Sequence, residues 1–87
     1  MLWQKVVVNL QYPRNTIGIT LRKLRIQKGM SQELLSGLAG IARTHLTMIE
    51  SGRKQPNLET IWKLADALQL TPSQLIAYIE NEPRPSD

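Results

Sequence analysis

The sequence predicts an all-α fold: a compact bundle of five short helices behind a short β-prone arm. Three observations lead there. Apolar residues recur at helical spacing between residues 16 and 80, glycines and prolines cut that stretch into short pieces, and 87 residues suffice for one modest core. Cysteine is absent, which removes a disulfide framework, a thiol nucleophile and a cysteine-based zinc site. A single histidine leaves only carboxylates as further metal ligands, so no metal and no cofactor is expected. The absence of Phe, with two Trp and two Tyr, argues against a large aromatic-lined pocket.

Residues 1–15 make up the arm. Val6, Val8 and Leu10 share one face of a strand, Val7 and Asn9 the other, and Pro13 breaks it. Helix one is expected at about 16–28, with Ile17, Leu21 and Leu24 on one face and Gly29 beyond its end. Helix two spans about 31–39: Ser31 caps it, Leu34, Leu35 and Leu38 supply the apolar face, and Gly40 ends it. Helix three spans about 42–51, with Leu46 and Ile49 inward and Gly52 at its end. Helix four spans about 58–68, capped by Asn57, with Leu58, Ile61, Leu64, Ala65 and Leu68 as its stripe. Helix five opens on Thr71-Pro72, a cap followed by proline at the tolerated first position, and buries some of Leu75, Ile76 and Ile79. The domain is thus placed at 16–80, and residues 81–87, with two prolines, are expected to form a flexible tail.

Charge is unevenly distributed. Residues 1–54 carry nine basic and two acidic side chains, a balance of +7, while residues 55–87 carry two and five, a balance of −3. Such a split suits a polyanion at one end, either nucleic acid or an acidic membrane surface. The first ten residues hold only a three-residue apolar run after Lys5, unlike a secretory signal. No segment approaches the roughly 20 apolar residues that span a bilayer. A cytoplasmic location is expected.

Helices two and three are joined by Leu38-Ala39-Gly40-Ile41-Ala42, a tight turn that makes them a helix-turn-helix over about 31–51. With Leu46 and Ile49 inward, Arg43, Thr44, Thr47, Met48 and Ser51 face outward. None is acidic, and their sizes suit the edge of a major groove. A merely solvated face would carry more Glu and Lys.

Ser31-Gln32-Glu33-Leu34-Leu35, Ala39-Gly40-Ile41 and the run Ile49-Glu50-Ser51-Gly52-Arg53-Lys54-Gln55-Pro56-Asn57-Leu58-Glu59-Thr60 together resemble the lambda-repressor-like, or XRE-type, helix-turn-helix family. Leu21-Arg22-Lys23-Leu24-Arg25 before them, and Ala65-Asp66-Ala67-Leu68 with Thr71-Pro72 after them, fit the same pattern, so the resemblance covers about residues 16–79. It implies a five-helix domain that binds double-stranded DNA, often as a dimer on palindromic operators. On that footing Arg43, Thr44, Thr47 and Met48 are candidate base contacts: Arg43 for guanine, Thr44, Thr47 or Met48 for a thymine methyl. Gln32, Ala42, His45, Arg53, Lys54 and Asn57 are candidate phosphate contacts. The resemblance also gives Gln32 a second task, buttressing helix three. Glu50 would repel phosphate if it faced DNA; the resemblance implies instead that it pairs with Arg25 on helix one as scaffold.

Three positions depart from the pattern. Ser36 stands where a small apolar residue is usual, Gly37 lies within helix two, and Ala42 replaces the Ser or Thr usual at the cap of helix three.

The expectation is a sequence-specific transcriptional regulator acting as a homodimer. Two dimer routes are open: residues 4–10 pairing with a second copy, or helix five. A disordered arm, or one that follows DNA through Lys5 and Arg14, is the alternative for the first. The competing functions are an antitoxin with a protein partner, a restriction-modification controller, and an interaction module that binds no DNA. An enzyme is not expected, since no nucleophile–base pair, paired acids or phosphate-cradling glycine loop is present.

Overall fold

The computed structural model describes residues 13–83. The expected strand at residues 4–10 and most of the arm lie outside the described residues. Among those described, all regular structure is helical: α1 (Arg14–Gln27), α2 (Gln32–Ala39), α3 (Arg43–Glu50), α4 (Leu58–Ala67) and α5 (Pro72–Asn81).

Helix α1 begins two residues earlier than the sequence pattern suggests, so Arg14 and Asn15 belong to the helix and not to the arm. The Pro13 carbonyl accepts hydrogen bonds from the Thr16 and Ile17 amides, at 3.2 and 3.3 Å, and from the Thr16 hydroxyl at 3.1 Å. The proline therefore launches the first turn directly. Side-chain caps open three later helices: Ser31 Oγ accepts from the Leu34 amide, Asn57 Oδ1 from the Thr60 amide, and Thr71 Oγ1 from the Gln74 amide. Gln74 returns the favour through Oε1, which accepts from the Thr71 amide, closing a capping box. Helix α3 has only Ala42 at this position and no side-chain cap bond.

The joint between α2 and α3 turns on Gly40, at φ 71°, a left-handed conformation that costs a residue without Cβ nothing. The amides of Gly40 and Ile41 then bond back to the carbonyls of Gly37 and Ser36, closing the helix end.

Leu21, Leu35, Leu46, Leu64, Leu68 and Leu75 are completely buried, with Ile49 almost so, and one core gathers residues from all five helices. Helix α1 packs on α3 and α5, α2 on α3 and α4, and α4 on α5. Three expected core positions, Leu34, Leu38 and Leu58, are corrected by this arrangement. Helix α2 turns Leu35, Ser36 and Ala39 inward, which leaves Leu34 and Leu38 roughly half exposed. Leu58, the first residue of α4, lies beyond the packed face. The expectation that α5 buries some of Leu75, Ile76 and Ile79 is met by Leu75 and Ile79.

The expected tail at 81–87 is also shortened. Asn81 closes α5, and Glu82 accepts a hydrogen bond from the Thr20 hydroxyl at 3.3 Å and pairs with Lys23. The end of the last helix is thereby tied to the first.

Candidate nucleic-acid interface

Helix α3 rests its inward face on the core through Leu46 and Ile49, and exposes Arg43, Thr44, Thr47 and Met48 on the other side. His45 is half-buried at the edge between the two faces. Beyond the helix, the chain turns at Gly52, and the amides of Arg53 and Lys54 both bond to the Met48 carbonyl, at 2.9 and 3.2 Å. Arg53 and Lys54 leave this anchored turn exposed. Asn57 is exposed as well, but its Oδ1 is committed to capping α4 at 2.8 Å, leaving only its amide NH2 group for another partner.

Glu50 points away from the exposed face. Its carboxylate takes two hydrogen bonds from Arg25 of α1, Nε to Oε2 at 2.7 Å and a terminal nitrogen to Oε1 at 3.0 Å. The side chains are only 11% and 4% exposed, so water screens the pair little. This hydrogen bond raises the Arg25 pKa above its ordinary value, outweighing the opposing effect of burial. Arg25 also donates to the Met30 carbonyl at 2.8 Å, so it ties the end of α1 to the start of the helix-turn-helix and to α3.

Gln32 joins this pair to the exposed face. Its Nε2 donates to Glu50 Oε1 at 3.0 Å, and its Oε1 accepts from the Thr47 hydroxyl at 3.1 Å. The first turn of α2 is thus bolted to two successive turns of α3. The Gln32–Glu50 bond was not foreseeable from spacing, because it depends on the crossing of α2 and α3. The one signal in the sequence is Glu50 itself, one of two acids in a strongly basic stretch and therefore in need of more than one donor.

A second contact was missed altogether. Gly18 of α1 lies so close to the end of α3 that a Cβ there would sit 2.3 Å from the Ile49 carbonyl oxygen. With the Arg25–Glu50 pair, it fixes how α3 is presented.

Two short helices meeting at a glycine joint, the second with an exposed face free of acids, define a helix-turn-helix protein. Residues 21–75 match the family model described as helix-turn-helix, and the chain belongs to the XRE-type helix-turn-helix family. It is 30% identical over 70 residues to the uncharacterized HTH-type transcriptional regulator y4dJ of Sinorhizobium fredii, covering 80% of this chain and 91% of that one. It is 35% identical over 66 residues to the control protein C.MunI of Mycoplasma, covering 75% and 89%. Among solved structures, it resembles the restriction-modification controller protein C.AhdI from Aeromonas hydrophila, with a TM-score of 0.68 and 40% identity over 71% of this chain and 94% of that one. Other curated regulators are longer, and the chain spans less than half of their length. Among the described residues no helix is long and apolar enough to cross a membrane.

Proposed function

We propose that the protein is a sequence-specific DNA-binding transcriptional regulator, cytoplasmic and without enzymatic activity, that acts as a homodimer on a palindromic site. The observation that carries this reading is the exposed, acid-free face of α3, flanked by Gln32 on one side and by Arg53 and Lys54 on the other. An acid on this face would repel phosphate; Glu50, the acid nearest it, is turned inward and neutralised by Arg25. Arg43, Thr44, Thr47 and Met48 meet base edges. Arg53 and Lys54 meet phosphates beside the groove, as do His45 and the amide NH2 of Asn57. Ala42 has no side-chain donor and contributes its backbone N–H. The second amide proton of Gln32, not used by Glu50, supplies one further phosphate contact.

Restriction-modification control is the favoured role among regulators. Its support is the 40% identity to C.AhdI over nearly the whole of that controller, joined by the likeness to C.MunI. Such a role predicts a binding site in the promoter of the protein's own gene.

Selection from a random duplex pool with the purified protein tests the reading. The expected product is a palindromic consensus whose half-sites are centred about 34 Å apart, one turn of the duplex. Enrichment of no sequence at low salt overturns it.

A further inference from the structure

We infer that Thr47 faces DNA as a hydrogen-bond acceptor and so reads an exocyclic amino group, adenine N6 or cytosine N4, in the major groove. The inference rests on the DNA-binding reading above and deepens it. It follows from the direction of the hydrogen bonds behind the exposed face. Glu50, bound in two places by the Arg25 guanidinium, is a carboxylate and can only accept. The Gln32 amide beside it must therefore turn its Nε2 towards Glu50 Oε1, at 3.0 Å. That choice leaves Gln32 Oε1 facing Thr47, and an amide oxygen also can only accept. A hydroxyl has one proton. Both acceptors within reach of Thr47 Oγ1 belong to the protein, Gln32 Oε1 at 3.1 Å and the Arg43 carbonyl at 3.0 Å. The proton is held inward whichever of the two takes it, and only lone pairs and the methyl group remain for a base.

The buried ion pair thus sets the polarity of an exposed recognition residue two hydrogen bonds away. Arg25 and Glu50 act as positioning residues for specificity as well as scaffold. A threonine free to rotate would donate to guanine or thymine as readily as it accepts from adenine or cytosine.

The test uses the full chain in two stages. Duplex selection is run with the wild-type protein, Thr47→Val and Thr47→Ser. Thr47 is exposed, so both variants keep the fold, which circular dichroism checks. Thr47→Val is expected to lose preference at one base pair per half-site, and Thr47→Ser to keep it. At that pair, the amino group is then deleted by replacing adenine with purine or cytosine with 2-pyrimidinone. The wild type should bind this duplex about two- to tenfold more weakly, the value of one hydrogen bond, and Thr47→Val should show no further loss. Replacing the purine of the same pair with its 7-deaza form, which removes an acceptor, should leave the wild type's dependence on Thr47 intact. Unchanged preferences in Thr47→Val overturn the inference, as does a loss that follows the acceptor instead of the amine. A wild-type protein that enriches no sequence is a separate result: it removes the DNA-binding reading, and the inference with it.

Discussion

Gly18 and Gly37 both lie inside helices, and a methyl group added at each should act in opposite directions. At Gly18 the added Cβ would stand 2.3 Å from the Ile49 carbonyl oxygen and 2.7 Å from that of Glu50. These are backbone atoms, so no side chain can rotate aside; the end of α3 has to move. Overpacking of this kind costs about 1–3 kcal/mol, and here it should outweigh the roughly 1 kcal/mol that alanine gains in helix propensity. At the upper end of that range, which a contact with two backbone oxygens favours, the net loss is about 2 kcal/mol and lowers Tm by roughly 10 °C in a domain of this size. At Gly37 nothing lies within 4 Å of the added atom, so Gly37→Ala keeps the propensity gain and raises Tm by roughly 4–8 °C. Differential scanning calorimetry of the two variants reads both signs, and shifts in the same direction would refute the argument. Only half of this contrast is legible in the sequence. Gly37 stands out as a soft point within a helical pattern, whereas Gly18 acquires its meaning from a helix thirty residues further on.

At the scale of elements, punctuation was more legible than facing. Caps and glycine stops placed all five helices to within a few residues, because each is a local matter of backbone bonds. Which leucine of a closely spaced set turns inward was not legible, since adjacent residues lie about 100° apart and tertiary crossing decides between them. Leu34 and Leu38 on α2, at 49% and 57% exposed, illustrate this. So does α5, where Ile76 and Tyr78 remain 45% and 51% exposed on a helix whose Leu75 and Ile79 are fully committed to the core. Ile76 and Tyr78 flank the buried ridge on opposite sides, about 200° apart, and of the two routes to the proposed homodimer this exposed apolar surface favours α5. The charge that replaces it should act accordingly. In light scattering, Ile76→Glu with Tyr78→Glu is expected to give the monomer mass with the helical spectrum unchanged. A chain beginning at Pro13, which keeps the residue that launches α1, should retain the dimer mass. The reverse pattern would move the interface to the first twelve residues.

For the whole molecule, the sequence's division into a basic and an acidic part becomes a statement about orientation. Arg53 and Lys54 lie exposed beside α3, while Glu59, Asp66 and Glu80 lie exposed on α4 and α5. A duplex met by α3 would find these two cations beside the helix. Counterion release makes this measurable. If Arg53 and Lys54 each neutralise one phosphate, a dimer releases counterions at four sites through these residues alone. The log–log dependence of affinity on salt should then be near −4 or steeper, at about −0.9 per phosphate. Lys54→Ala should weaken binding to all sequences about equally and make the slope shallower by about 2. Lys63 provides the control: it lies on α4, 3.4 Å from Glu59, so Lys63→Ala should leave the slope unchanged. The two variants have the same change in net charge and differ only in where it is made. Equal slopes for both would mean that the protein's overall charge, and not the face built around α3, governs its attraction to DNA.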